Sequence, residues 1–373
     1  MTHAKGISAI RGTTKRPSPI LILGMHRSGT SLAGEIIDRW GAYGGEQKNM
    51  MPATQENPRG YWEHLPLVHF NDALLADLDS SWFVPPADDA AIRSRVRRTQ
   101  FRLKAGSLMR TMNRRKKTWY WKDPRLSVLL PFWLKFLPEP TIIVCLRNPL
   151  EVADSLRSRQ QMQGISEFEI PESASLLLWQ IYLMRIFQNI PQVRNVFFFR
   201  YEAFLQDPKG QCKRLLEFLE GIHGKGTEDK FVHMVEVIKN DLRRSRRRVA
   251  IGSVSGTTAA QKKLARFADV RSRGGSLRFR SAEYPLYEGW RDYLRAVERA
   301  GALTESGVLA LRKKVTELES LVNERTQWAK STDEELQKAR EYIQMLQQVL
   351  ANITSSKAYR VLDALGMVRS EPH

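Results

Sequence analysis

The chain has 373 residues, 42% hydrophobic and 27% charged, a globular composition that excludes a disordered or fibrous protein and leaves room for roughly two domains. Its 59 Lys and Arg against 40 Asp and Glu give a formal charge of +19. That balance calls for an anionic partner: a multiply charged cofactor, an acidic glycan or lipid, a membrane surface or nucleic acid. Two cysteines, Cys145 and Cys212, cannot build a disulfide framework or a zinc cluster, and no apolar run approaches the ~20 residues of a membrane span.

Residues 1–18 are polar and basic without an apolar core, and read as a disordered basic N-terminus rather than a secretory signal. The expected location is therefore cytoplasmic, with the inner membrane surface compatible with the charge. An α/β domain is expected over 19–301. It opens with Pro19-Ile20-Leu21-Ile22-Leu23, then Gly24-Met25-His26-Arg27-Ser28-Gly29-Thr30-Ser31, then an amphipathic stretch from Leu32 to Trp40 closed by Gly41. That pattern is strand, turn and helix, and the unpaired N–H groups at the helix start form a cradle for phosphate or sulfate. The Gly24 to Gly29 spacing copies the nucleotide P-loop G-x-x-x-x-G-K-[ST], but Thr30 replaces the lysine and the cation has moved to Arg27. The loop suits an anion and is poorly built for ATP with Mg²⁺.

Further strands are expected at Thr118–Trp121, Thr141–Leu146 and Val196–Phe199, short and rich in β-branched or aromatic residues. Helical patterns separate them at His64–Leu78, Ala90–Met112, Val128–Phe136, Glu151–Gln160 and Ser173–Asn189. The alternation implies a P-loop-like, doubly wound parallel sheet flanked by helices, with ligand groups at the carboxyl ends of the strands. Those ends carry the anion loop, Lys122-Asp123-Pro124-Arg125, and Arg147-Asn148-Pro149 leading to Ser155. Arg147 and Ser155 are placed to clamp one phosphate, with an ion pair to a neighbouring acid as the competing use of Arg147.

Basic residues crowd Arg93 to Lys117 and Lys239 to Arg248. No finger spacing or aromatic RNA-binding pattern accompanies them, so nucleic acid is not the expected partner. Residues 251–280, rich in Gly, Ser and Thr, read as a flexible loop, and Pro285 to Ala300 returns to helix.

From 302 to 354, Leu311, Val315, Leu318, Val322, Arg325, Ala329, Thr332, Leu336, Ala339, Ile343, Leu346, Leu350 and Ile353 alternate in steps of four and three. A long C-terminal coiled-coil helix and a homo-oligomer are expected, the alternative being one helix packed back on the domain. Residues 355–373 form an amphipathic or disordered tail similar to those of bacterial enzymes that modify surface polysaccharides.

His26-Arg27-Ser28-Gly29-Thr30-Ser31 resembles the 5′-phosphosulfate loop of sulfotransferases that use 3′-phosphoadenosine-5′-phosphosulfate (PAPS), in the bacterial form with an arginine loop. Arg147 with Ser155 resembles that family's 3′-phosphate site. Asn57 to Glu63, Lys122 to Arg125, Arg200-Tyr201-Glu202 and Asp207-Pro208 extend the resemblance over roughly Pro19 to Arg248. It implies PAPS as cofactor, no metal, and sulfuryl transfer to a hydroxyl of a saccharide or glycolipid. Cofactor contacts would come from Arg27, Ser28, Gly29, Thr30, Ser31, Arg147 and Ser155, with Arg243 and Arg244 as additional candidates. Arg27 and Lys122 would act on the transferred group and its leaving phosphate, and Glu63 is chosen as general base over His64, Glu46 and His26. Glu63 has a competing role as a first-turn glutamate at a helix N-terminus. Two other classes stay open: a P-loop kinase with Asp123 on Mg²⁺, and a coiled-coil scaffold with an anion-binding domain.

Overall fold

A computed structural model describes residues 19–54, 57–114, 117–137, 139–162, 170–224, 228–238, 257–275, 278–286, 288–303, 316 and 333–356. Strand β1 (Ile20–Leu23) is followed by α1 (Thr30–Trp40), α2 (Leu65–Ala76), α3 (Asp89–Ser94) and α4 (Thr99–Asn113). Strand β2 (Tyr120–Lys122) leads to α5 (Leu126–Trp133), β3 (Thr141–Leu146) to α6 (Pro149–Met162) and α7 (Glu172–Asn189), and β4 (Asn195–Arg200) to α8 (Tyr201–Gln206) and α9 (Pro208–His223). Four more helices follow: α10 (Glu228–Glu236), α11 (Ala259–Ser272), α12 (Trp290–Leu303) and α13 (Asp333–Ser355).

The four strands form one parallel sheet in the order β2-β1-β3-β4. Residues of β1, β2 and β3 are buried on both sides, which is why these strands read as continuous apolar runs instead of alternating ones. Leu21, Leu23, Trp121, Ile142 and Val144 face a core shared with α2, α5 and α7. Ile20, Ile22, Tyr120, Ile143, Cys145 and Phe199 face the opposite core, under α1 and α9. The chain leaves β1 toward β2 on one side and returns to place β3 on the other. The order of strand addition therefore reverses between β1 and β3, the position at which α/β sheets open a crevice beyond their strand ends.

The parallel α/β domain follows the expected pattern, with four differences. Pairing with β1 runs from Tyr120 to Lys122, because Trp119 bridges Tyr43 in the segment after α1. The single helix expected over Ala90–Met112 is broken into α3 and α4. Arg98 is extended (φ −72°, ψ 119°), and Arg95 and Arg98 both turn back onto the Asp77 carboxylate. Residues 257–275 hold helix α11 in place of a flexible loop: Thr258 and Gln261 form a reciprocal capping box, and Leu264, Phe267 and Ala268 are buried. Helix α13 is the described part of the expected coiled coil, and it lies against its own domain. The Tyr342 ring sits 5.8 Å from that of His69 in α2, and Ile343 is buried. The seam from Leu311 to Thr332, the tail beyond 356, and residues 1–18 lie outside the described residues.

Candidate active site

The loop after β1 is built from left-handed backbone: Gly24 at φ 151°, Arg27 at φ 68° and Gly29 at φ 91°. A Cβ on Gly29 would stand 2.5 Å from a ring carbon of Tyr201, so only glycine lets α8 close under the loop. The Gly24 N–H donates to Ser127 Oγ (2.8 Å), and that hydroxyl donates back to the Gly24 carbonyl (3.1 Å). Ser28 Oγ donates to the Met25 carbonyl at 2.5 Å. No side chain caps α1, so its first N–H groups and positive dipole end are presented to the crevice.

Arg27 is not glycine, and a left-handed backbone costs such a residue about 1–2 kcal/mol. The next strand supplies the restraint. Arg147, at the end of β3, donates through Nη1 to the Arg27 carbonyl (2.9 Å), while Arg27 Nε donates to Ser155 Oγ on α6 (2.9 Å). Arg27, distant in sequence from Arg147 and Ser155, thus meets them at the crevice between β1 and β3. Arg147 also makes the competing ion pair, through Nε and Nη2 to Glu151 Oε2 at 3.2 and 3.1 Å, and lies 4.4 Å over the Tyr201 ring. A guanidinium has five N–H donors, so these three contacts leave two for an anion. Glu202 fixes the turn by accepting from the Asn148 N–H at 2.8 Å.

On the other side of β1, Lys122 ends β2 and pairs with Glu63, Nζ to Oε1, at 2.5 Å. Both are buried, at 2% and 5% exposure, so this is a desolvated pair and neither charge is solvated in its place. Arg125 Nη1 stands 3.9 Å from the second Glu63 oxygen. Its Nε donates to Asp72 (2.6 Å) and its Nη1 to Asp123 (3.1 Å). Asp123 also accepts from Asn71 (2.8 Å), whose carbonyl oxygen takes the Trp133 indole N–H (2.9 Å). Burial, reinforced by the neighbouring Asp123 and Glu63 carboxylates, raises Asp72 to about 6 against the pull of Arg125.

The other base candidates differ. His64 begins α2 with its ring against Gly45 and Met50, where burial lowers it to about 4 and its Nδ1 has no partner. Burial, and then the cations Arg125, Arg159, Lys122 and Arg27, lower His26 well below the ordinary imidazole value, and its ring lies 4.6 Å from Trp82. Glu46 is half-exposed and paired with Lys48 at 3.4 Å. Arg243 and Arg244 lie outside the described residues. Among the described residues, no group of three His, Cys, Asp or Glu side chains is arranged to hold a metal ion, and no helix is long and apolar enough to cross a membrane.

Ser127, Tyr201, Glu202 and Trp62 belong to the site but were not among the residues expected from sequence. Trp62 adopts φ 59° and packs against Gly34 of α1, whose missing side chain leaves space for it and for Lys122. The sequence signal for Tyr201 and Glu202 is their position directly after the β4 end. Trp62 lies in the Asn57 to Glu63 segment that carries the resemblance, though no role was expected for it, and Ser127 had no signal, since it acts through a contact distant in sequence.

An uncapped helix end, an arginine-bearing loop after the first strand and a second arginine beside it form a candidate anion-binding site on a parallel α/β sheet. A family model described as "Sulfotransferase family" matches residues 19–222, and the chain belongs to the sulfotransferase family. No curated protein matches it. Among solved structures, it is similar to the sulfotransferase domain of the Synechococcus PCC 7002 olefin synthase, at 13% identity over 68% of this chain and 96% of that one, with a TM-score of 0.40. It is also similar to sulfotransferase STF9 from Mycobacterium avium, at 14% identity over 71% and 79% of the two chains, with a TM-score of 0.39.

Proposed function

We propose that the chain moves a sulfuryl group from PAPS to a hydroxyl of a saccharide or glycolipid, at a cytoplasmic site and without a metal. The supporting observation is the meeting of Arg27, Arg147 and Ser155 beside the uncapped start of α1. The residues fit the donor, since two arginines and the uncapped N–H groups at the start of α1 match a nucleotide carrying phosphate at both ends.

When bound, the donor supplies an activated sulfuryl group with a phosphate as leaving group. Backbone N–H groups of Gly29 to Ser31 would hold anionic oxygens, the Ser28 N–H being taken by the Met25 carbonyl at 3.2 Å, and Arg27 would offset the charge that gathers on the leaving side. Arg147 and Ser155 would hold the 3′-phosphate and so distinguish the donor from an adenylate. Lys122, paired with Glu63 at the end of β2, would act on the transferred group, and Glu63 would take the acceptor hydroxyl's proton. Arg243 and Arg244 are retained as further phosphate contacts. The saccharide class rests on the basic surface and on the character of the tail.

The deciding measurement is calorimetry with adenosine 3′,5′-bisphosphate, AMP and ATP–Mg²⁺. The bisphosphate should bind in the presence of a chelator, and loss of its 3′-phosphate should weaken binding by about 1.5–3 kcal/mol, the worth of a charge-assisted hydrogen bond. Equal affinity for AMP, or a strict need for Mg²⁺, would overturn the reading.

A further inference from the structure

From Ala90 to Lys122 the sequence contains no Asp or Glu, although acids number 40 in 373 residues overall. Helix α4 lies in this interval. Phe101, Ala105 and Met112 face the core, with Phe101 edge-on to Phe70 of α2 at 5.9 Å. The opposite face carries Arg102, Lys104, Arg110 and Arg114, all exposed. None of the four makes an ion pair among the described residues. The nearby carboxylates are already engaged, Asp77 by Arg95 and Arg98 and Asp89 by Arg93 and Arg185. In the middle of these cations stands Leu103, 60% exposed. Leu103, Arg110 and Arg114 follow one another along a single stripe, and Arg102 and Lys104 flank the leucine.

We propose that this face of α4 docks the protein on an anionic lipid surface. Cations without intramolecular partners supply attraction to acidic headgroups, and the lone apolar side chain among them is suited to the boundary between headgroups and acyl chains. A nucleic-acid face would use aromatic rings to stack bases, and α4 exposes a leucine and no aromatic side chain. The position is also suggestive of use. Helix α2, against which α4 packs, carries Asn71 and Asp72 to the Asp123 and Arg125 network, so a single helix separates the basic face from the site. The proposal does not depend on the nature of the donor, and loss of donor binding would leave it untouched.

The test is flotation of the full chain with phosphatidylcholine vesicles, with and without phosphatidylglycerol. Binding should require the anionic lipid. Each cation near the surface is worth about fivefold in affinity, so Arg102→Gln, Lys104→Gln and Arg110→Gln together should weaken binding roughly 100-fold. Leu103→Asn should remove the binding that persists at high salt, and free inorganic phosphate should not compete as the vesicle does. Circular dichroism and adenosine 3′,5′-bisphosphate binding of the same variants establish that the fold is intact. Vesicle binding unchanged by the triple variant would overturn the proposal. So would a wild-type chain that binds RNA or heparin and ignores anionic vesicles.

Discussion

Arg147 has three partners, and only one of them is a carboxylate. Arg147→Ala removes the brace on the Arg27 carbonyl and breaks the ion pair to the fully buried Glu151. The simple variant therefore costs about 3–5 kcal/mol of stability as well as affinity. Arg147→Gln combined with Glu151→Gln separates the two effects. It should fold, lose preference for adenosine 3′,5′-bisphosphate over AMP in calorimetry, and keep whatever affinity the loop alone provides. Glu63→Gln also breaks the buried pair with Lys122 and so lowers stability, but in the folded protein it should act on turnover, lowering it by about 10²–10⁴-fold at unchanged bisphosphate affinity. A fully active Glu63→Gln enzyme would exclude Glu63 as the base. Two neighbouring groups also titrate in opposite senses. His64 is lowered to about 4, so the folded state binds fewer protons than the unfolded one between about 4 and 6.5, and stability rises with pH through that window. Asp72 is raised to about 6, so the folded state binds more protons between about 4 and 6, and its contribution falls as pH rises. The two nearly cancel in the parent. Denaturant unfolding should show Asp72→Asn gaining about 2 kcal/mol relative to the parent between pH 4 and 7, and His64→Gln moving the other way.

Among the elements, the loop between β1 and α1 has least tolerance. Gly29→Ala meets both the Tyr201 ring and a φ of 91°. It should keep the sheet, as judged by circular dichroism, yet lose bisphosphate binding by more than tenfold; full affinity would mean that α8 moves aside. The loop and three strand ends were readable from sequence because they depend on local rules, an apolar run followed by glycines or by a cation. Helix α11 was equally readable in principle, through Thr258, Gln261 and the spacing of Leu264, Phe267 and Ala268. The surrounding glycines and serines obscured it. The break between α3 and α4 was not readable: it depends on Arg95 and Arg98 reaching Asp77, an acid outside the helical segment. The pairing of Lys122 with Glu63 was likewise hidden, since each side chain was assigned a solitary role and only the fold puts their charges 2.5 Å apart.

At the scale of the molecule, the C-terminal helix divides its apolar stripe between two uses. Ile343 is buried and Tyr342 meets His69, while Leu346, Leu350 and Ile353 remain partly exposed. The domain therefore covers only part of the seam, and a stripe at a/d spacing that is half covered retains area for a second helix. We infer that the chain associates with a second copy through the partly exposed Leu346, Leu350 and Ile353. Truncation after Gly301 should yield a monomer by light scattering, and it should still bind adenosine 3′,5′-bisphosphate because Arg27, Arg147 and Ser155 all lie upstream. A cysteine pair at His69 and Tyr342 separates the two uses of the helix. An oxidised cross-link within single chains, seen at monomer mass in denaturing gels, supports packing on its own domain. A cross-link found only between chains would mean that the helix crosses to its partner. A monomeric full-length protein would remove the association altogether and leave α13 as a strap on α2.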